Sequence, residues 1–152
     1  MNALDIRDAG AADMAALREV FRRSSLSNES DRMALLAHPD VLELSDQAVA
    51  EGRTRVAEAD GRVIGFATWL GTGEVTELED LFVDPDWMRR GVGRALVHDQ
   101  IALARQRGVR RFEVTGNPHA RAFYETVGFI GDHEVDTLLG RGLRMHLDVA
   151  VS

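Results

Sequence analysis

The stretch DPDWMRRGVGRAL, residues 84–96, lies where the hydrophobic pattern of the chain changes from the period of a strand to that of a helix. Residues 75–83 before it form a β-compatible run, which ends at Asp84-Pro85 because proline cannot continue the hydrogen bonding of a sheet. After it, apolar residues recur every three or four positions, and this spacing predicts a helix from about Gly91 to Arg107. The stretch therefore predicts a strand, a tight turn and the start of a helix.

The beginning of this helix is suited to an anion. Its first backbone N–H groups have no partner within the helix, and the helix dipole is positive at this end. Glycines at positions 91 and 93 allow a bulky diphosphate to approach the backbone. Residues 87–111 contain seven arginines and a single acidic residue, Asp99, in a chain whose net charge is −7. We therefore expect a phosphate-binding turn here.

Other nucleotide-binding motifs do not fit this turn. A Rossmann fingerprint has a third glycine where this chain has Leu96, and its turn follows the first strand of a domain rather than the third strand of a meander. A P-loop needs a lysine, and the chain contains none. The acidic net charge also argues against a nucleic-acid-binding protein, which needs a basic face. Gly-x-Gly alone still leaves a purely structural role for these glycines open.

The composition limits the remaining classes of protein. The chain has 152 residues, enough for one domain with a proper core, and its 45% hydrophobic content is typical of globular proteins. It has no cysteine, which excludes disulfides, thiolate ligands and a cysteine nucleophile. The five histidines lack the spacing of metal ligands, so no metal site is predicted. Because no segment reads as a membrane span or a signal peptide, we expect a cytoplasmic protein with no membrane partner.

Hydrophobic periodicity predicts the other elements of the chain. Asp60-Gly61 favours a type I′ hairpin turn, so residues 53–83 should form an antiparallel meander. The crossover through the helix after residue 91 predicts that the strands on either side of it are parallel. Strands are expected at residues 3–8, 53–59, 62–70, 75–83, 110–115, 129–135 and 143–149, and helices at 14–21, 91–107 and 117–127, with a broken helical region at 32–36 and 45–50.

Three segments together resemble the GNAT acetyltransferase family. They are Leu81-Phe82-Val83-Asp84-Pro85, the turn Arg-Arg-Gly-Val-Gly-Arg-Ala-Leu at residues 89–96, and the run from Asn117 to Phe129. The resemblance is strong over residues 62–130. It implies a single α/β domain over residues 1–152, with a mixed, mostly antiparallel sheet of six to seven strands, one splayed parallel pair and about four helices.

The same resemblance implies that acetyl-CoA is the cosubstrate. In the family, the pantetheine arm pairs with the backbone of the first parallel strand and the diphosphate lies on the turn. Asn117 and Phe123 are among the residues that the resemblance assigns to the cofactor. If they do not contact it, Asn117 would be a helix N-cap and Phe123 a core residue. The family pattern has a polar residue where this chain has Met88, so we expect backbone amides to be the main diphosphate ligands. The residues assigned to the cofactor are Leu81, Phe82, Val83, Arg89, Arg90, Gly91, Val92, Gly93, Arg94, Ala95, Asn117 and Phe123.

Two candidate catalytic groups also follow from the resemblance. Tyr124 aligns with the tyrosine that donates a proton to the departing thiolate, and a buried structural tyrosine is the alternative. Glu79 is the favoured base for the amine, acting through water, with Glu77 and Asp80 as other candidates and a solvated acidic strand edge as the alternative to all three. Strand alternation predicts Glu77 and Glu79 on one face and Asp80 on the other. This acidic group favours a cationic acceptor.

The resemblance therefore predicts an N-acetyltransferase that acts on a primary amine, either on a small molecule or on a protein N-terminus or lysine. The alternative is a non-catalytic acyl-CoA-binding or sensing module with the same fold; Tyr124 and the nearby carboxylates favour the enzyme. Acceptor choice is expected to depend on the polar residues around residues 22–28, at the end of the first helix. Members of the family are often dimers, so a homodimer is an expected partner that no residue specifies.

Overall fold

The computed structural model describes residues 4–27, 46–71, 73–116, 120–137 and 140–149 of the chain. All seven predicted strands are confirmed, with ends that shift by up to three residues. The helical segment predicted at 32–36 lies outside the described residues. The strands are β1 (Asp5–Asp8), β2 (Thr54–Ala59), β3 (Arg62–Leu70), β4 (Val75–Val83), β5 (Arg111–Gly116), β6 (Ile130–Thr137) and β7 (Gly140–Asp148). The α-helices among the described residues are α1 (Met14–Ser27), α2 (Asp46–Ala50), α3 (Val92–Gln106) and α4 (Arg121–Thr126).

The strands form one sheet in the order β1-β2-β3-β4-β5-β7-β6. Pairing is antiparallel between β1 and β2, β2 and β3, β5 and β7, and β6 and β7, and it is parallel between β4 and β5. The predicted mixed, mostly antiparallel sheet is therefore confirmed. The parallel register runs from Val75 opposite Arg111 to Leu78 opposite Val114, whereas β4 itself continues to Val83. The end of β4 that leads into the turn lies beyond this register.

The chain divides into two compact units. The first contains the residues up to Thr68 together with residues 80–96, and the second contains residues 69–79 together with those from Val97 onward. Each unit has buried apolar side chains of its own. The single domain expected over residues 1–152 stays a prediction.

The core of the first unit lies between α1 and the sheet. The three- and four-residue spacing of Leu17, Val20 and Phe21 puts these side chains on one face of α1, and all three are buried. They pack in one cluster with Phe66 of β3. The Phe82 ring of β4 joins the cluster, its centroid 4.7 Å from that of Phe21 and 5.6 Å from that of Phe66. This packing ties α1 to the end of β4.

The hairpin between β2 and β3 has the predicted turn. Asp60 and Gly61 both have positive φ angles, 54° and 73°, as a type I′ turn requires. Ala59 and Arg62 on either side of them are paired. Asp60 and Gly61 therefore set the register next to the turn, and an irregularity between Ala57 and Glu58 shifts it further along the strands.

The core of the second unit is largely aromatic and aliphatic. Phe112 and Val114 alternate on the buried face of β5, and Met145 of β7 is fully buried. The Phe112 and Phe129 rings make an edge-to-face contact with 6.3 Å between centroids, and the Tyr124 ring lies 5.5 Å from Phe129 in the same manner. These contacts hold α4 against β5.

Gly65 on β3 lies where a side chain would be crowded. A Cβ there would lie 3.1 Å from the Phe82 carbonyl oxygen, 3.1 Å from Val92 Cγ1 and 3.2 Å from Leu96 Cδ1. Because these atoms are backbone or packed side chain, Gly65→Ala is expected to lower the free energy of unfolding by about 1–3 kcal/mol, measured by urea denaturation.

The matched control for this substitution is Gly10→Ala. Gly10 has a φ of −111°, and the nearest atom to its Cβ would be Asp13 Oδ2 at 3.8 Å, an ordinary contact. We expect this variant to change stability by no more than about 0.5 kcal/mol. An equal loss in both variants would contradict close packing as the cause.

Candidate active site

The segment between β4 and α3 follows a defined path. A 3₁₀ turn at Pro85–Trp87 comes directly after β4, and the Trp87 N–H donates to the Asp84 carbonyl oxygen at 2.8 Å. Further on, the Ala95 N–H donates to the Gly91 carbonyl oxygen at 3.0 Å. The N–H groups of residues 92–94 precede this bond, so α3 itself supplies no acceptor for them. They are the donors at the positive end of the α3 dipole.

The space beside Gly91 is open. In the described part of the chain, no heavy atom apart from those of adjoining residues lies within 4 Å of where a Gly91 Cβ would be, and Gly91 has a φ of +85°. Arg89 has a φ of +64°, a conformation that costs a residue other than glycine about 1–2 kcal/mol. Together these angles turn the chain sharply before α3. The geometry fits a large anion seated on the N–H groups of residues 92–94.

The predicted arginines lie on the surface around this turn. Arg89, Arg90 and Arg94 are all exposed. The Arg90 guanidinium lies 5.1 Å from the centroid of the Trp87 ring, a cation–π contact that holds one of these charges near the turn. Met88, where the family pattern has a polar residue, is 42% exposed and takes no part in the core. The turn therefore combines backbone donors with surface cations.

The last three residues of β4 alternate between the two faces of the strand. Leu81, Phe82 and Val83 are all half-buried. The Phe82 ring packs against the rings of Phe21 and Phe66. Leu81 and Val83 lie on the other face of the strand by alternation. This geometry is compatible with a ligand that pairs with the β4 backbone.

Asp84, to which the sequence analysis assigned no role, is buried at the start of the turn. It is 2% exposed, and its Oδ1 accepts a hydrogen bond from the Asp86 N–H at 2.9 Å. Its Oδ2 accepts from Arg62 Nη2 at 3.3 Å, and its Oδ1 lies 3.4 Å from Arg23 Nη2. Its own N–H donates to the Ile64 carbonyl oxygen at 2.8 Å. An aspartate that precedes a proline at a strand end was the available signal, because such pairs start turns.

Tyr124 lies in the second unit and is buried. Desolvation raises the pKa of its hydroxyl to about 12, so it stays protonated at neutral pH. Its ring makes edge contacts with Phe123 and Phe129. Gly116 at the end of β5 makes room for this ring, because a Cβ there would lie 3.0 Å from Tyr124 Cε2. The ring is therefore held in one orientation by its neighbours.

The candidate bases lie in different surroundings. Glu77 accepts a hydrogen bond from Arg144 Nη1 at 2.6 Å, and Arg144 also donates to Glu113 at 2.7 Å and to Thr115 at 2.7 Å. Accepting a proton at Glu77 would break an ion pair, which argues against Glu77 as the base. Glu79 is exposed on the same strand. Glu77 and Glu79 thus differ in their exposure to solvent.

Asp80 lies in the first unit, beside a narrow slot. The slot has a volume of about 10 Å³, close to the space of one water, and its walls include Leu17, Phe66 and Thr68. Thr68 shares a buried hydrogen bond of 2.9 Å with Thr54. Asp80 is half-buried, in contrast to Glu79. The predicted alternation of Glu79 and Asp80 agrees with this difference in exposure.

The described ranges contain neither a metal-binding cluster nor a membrane-spanning helix. No group of three or more histidine, aspartate or glutamate side chains in them is placed to hold a metal ion. None of the helices in that part of the chain has the length and apolar character needed to cross a membrane.

Comparison with known proteins decides the family. The sequence profile described as the acetyltransferase (GNAT) family matches residues 14–129. The chain belongs to the GNAT family.

Two relatives of this chain are N-acetyltransferases with different named acceptors. Serotonin N-acetyltransferase 2 of Oryza sativa subsp. japonica is 29% identical over 129 residues, which are 83% of this chain and 60% of the rice protein. The [ribosomal protein bS18]-alanine N-acetyltransferase of Escherichia coli K12 is 37% identical over 73 residues, which are 46% of this chain and 49% of that protein. The chain thus spans less than two thirds of the length of these relatives.

Solved GNAT structures share the fold. The PaiA N-acetyltransferase from Thermoplasma acidophilum, in complex with coenzyme A, superposes with a TM-score of 0.79 at 20% identity, covering 96% of this chain and 99% of that one. The E. coli ribosomal-protein-S18-alanine N-acetyltransferase superposes with a TM-score of 0.72 at 22% identity, covering 99% and 96%.

The predicted site residues that the structure describes lie in two groups. In the first unit, residues 81–83 lead through Asp84 into the turn and α3, so the predicted residues from Leu81 to Ala95 lie along one continuous segment. In the second unit, half-buried Phe123 lies beside Tyr124, with 5.2 Å between ring centroids. Asn117 lies outside the described residues, so its assignment stays a prediction. α4 covers Arg121–Thr126 of the helix predicted at 117–127, and residues 117–119 lie outside the described residues.

Proposed function

We propose that this GNAT protein transfers the acetyl group of acetyl-CoA to the nitrogen of a primary amine. The observation that carries the proposal is the start of α3, where backbone N–H groups without a helical acceptor, the open space at Gly91 and exposed arginines meet. These features fit a diphosphate such as that of CoA. The proposed cofactor ligands are Leu81, Phe82, Val83, Arg89, Arg90, Gly91, Val92, Gly93, Arg94, Ala95, Asn117 and Phe123.

The proposed reaction is direct attack. The amine nitrogen forms a bond to the thioester carbonyl carbon, and the bond from that carbon to sulfur breaks. The amine loses a proton to Glu79 through water, and the sulfur receives the hydroxyl proton of Tyr124. An amine with a pKa near 10 is neutral in only about one molecule in a thousand at pH 7, a handicap of about 4 kcal/mol that the base helps to offset.

The acceptor is proposed to be a cationic amine. Three carboxylates lie on this part of β4, those of Glu77, Glu79 and Asp80, of which Glu77 is paired with Arg144, and carboxylates attract an ammonium group. By their names, the two relatives described above acetylate amines as different as serotonin and an alanine of a ribosomal protein. Both a small molecule and a protein N-terminus therefore belong in a screen. A cytoplasmic location and a homodimer stay predictions.

A screen of a panel of amines with acetyl-CoA, in which the release of free thiol is measured, tests the proposal. Thiol release that depends on one class of amine supports it. A protein that binds CoA in calorimetry but releases no thiol with any amine would instead be an acyl-CoA-binding or sensing module, which is the second candidate.

Glu79→Gln is expected to lower kcat at pH 7 by about 10²-fold, because the amine then loses its proton acceptor. The loss should shrink toward pH 10, where much of the amine is already neutral. Glu51→Gln is the control, since Glu51 is an exposed carboxylate in an ion pair with Arg53 outside the proposed site. A loss that appears in Glu77→Gln or Asp80→Asn but not in Glu79→Gln would show that the base is misassigned.

A further inference from the structure

Asp84 connects the turn before α3 to two distant parts of the first unit. Arg23 reaches it from α1 and Arg62 from β3, and both guanidinium groups approach the same buried carboxylate. The Asp84 N–H and C=O are also bonded, to Ile64 and Trp87. Every polar group of this residue therefore has a partner, and together these partners fix the direction in which the chain leaves β4.

A carboxylate buried to this degree is costly unless ion pairs and hydrogen bonds compensate it. A strand could end at a proline without such a group. Asp86, in contrast to the buried Asp84, is 69% exposed. Its Oδ2 lies 2.9 Å from Nη2 of Arg23, one of the two arginines that approach Asp84. The buried member of the pair is the one that also caps the 3₁₀ turn through the Asp86 N–H.

The backbone between Asp84 and α3 needs to be held at both ends. Arg89 has a φ of +64°, and such a conformation persists in a residue other than glycine only where the surroundings enforce it. α3 holds the downstream end of this segment. Asp84 holds the upstream end.

We propose that Asp84 is a positioning residue for the CoA diphosphate: clamped by Arg23 and Arg62, it fixes the turn whose N–H groups, at residues 92–94, bind the phosphates. This inference rests on the proposed function. It predicts an effect on CoA affinity that exceeds any effect on the chemical step.

The test is Asp84→Asn, which keeps an oxygen that can accept from the Asp86 N–H but removes the charge. Calorimetry with CoA is expected to give a Kd about tenfold weaker than that of the wild type, and the KM for acetyl-CoA should rise in parallel. The kcat at saturating acetyl-CoA should stay within about threefold, because the reacting groups are untouched.

Asp13→Asn is the matched control for a purely structural role. Asp13 also accepts a backbone N–H bond, from Gly10 at 2.7 Å, and pairs with an arginine, Arg7, at 2.8 Å. It should lose stability without losing CoA affinity. If Asp84→Asn behaves in the same way, the inference is wrong and Asp84 serves only the fold.

Two further results keep the outcomes distinct. If the wild-type protein itself does not bind CoA, the proposed function fails and the inference fails with it. If the wild type binds CoA and Asp84→Asn does not fold, then Arg62→Gln and Arg23→Gln take its place. Each removes one partner of the carboxylate, and unchanged CoA affinity in both would overturn the inference.

Discussion

Replacing Tyr124 with phenylalanine is expected to lower kcat by about 10²-fold or more, while the Kd for CoA changes by less than about threefold. The substitution removes only the hydroxyl group. The ring keeps its contacts with Phe123 and Phe129 and its place beside Gly116. The thiolate then leaves without a proton donor, so the loss should appear in single-turnover thiol release rather than in binding.

The acid strength of Tyr124 sets a limit on this role. Burial raises the pKa of Tyr124 to about 12. A thiolate with an aqueous pKa near 8.5 would be protonated by such a group at an uphill cost of roughly 5 kcal/mol. The transfer becomes favourable only if the same dry surroundings raise the pKa of the thiol as well. Proton donation by Tyr124 is therefore expected to depend on exclusion of water by the bound cosubstrate.

The titration of Tyr124 can be measured directly, because it is the single tyrosine of the chain. The folded protein is expected to develop phenolate absorbance only near pH 12, whereas the unfolded chain should do so near pH 10. A folded-state pKa above the unfolded value stabilises the protein below pH 10, and this contribution is lost as the pH rises toward 12. An ordinary tyrosine titration, or full activity in Tyr124→Phe, would remove this residue from its assigned role.

Local signals in the sequence predict most of the fold. The dipeptide Asp60-Gly61 predicted the hairpin between β2 and β3, and both residues have the positive φ angles that a type I′ turn needs. The strand, helix and strand order around α3 predicted the parallel pairing of β4 with β5. These predictions succeed because each depends on residues that are neighbours along the chain.

The rest of the candidate site depends on tertiary contacts. Arg62 is 22 residues away from Asp84 along the chain, and nothing in the spacing of these residues reveals that they meet in a buried ion pair. The pKa of Tyr124 depends in the same way on burial that no local motif encodes. Glu77 and Glu79 look equivalent in sequence, and nothing in their spacing reveals that Glu77 meets Arg144 of β7, 67 residues away. Long-range packing decides such features.

Gly91→Ala is expected to weaken the binding of CoA by about tenfold or more, or roughly 1.4 kcal/mol, and to raise the KM for acetyl-CoA accordingly. The added methyl group would enter the open space through which the diphosphate approaches the N–H groups of residues 92–94. Alanine at a φ of +85° also carries a strain of about 1–2 kcal/mol, which would tend to move the turn.

A general loss of stability can be separated from an effect at the turn with Gly108, which follows the other end of α3. Gly108 has a φ of +80°, close to that of Gly91, and a Cβ there would likewise meet no heavy atom within 4 Å in the described part of the chain, apart from adjoining residues. Gly108→Ala should therefore lower the free energy of unfolding by about as much as Gly91→Ala does. Because Gly108 is not a proposed ligand of CoA, its variant should bind CoA as the wild type does. Equal CoA affinity in both variants would mean that the phosphates do not lie on the turn at Gly91, and the assignment of the cofactor to the start of α3 would fail with it.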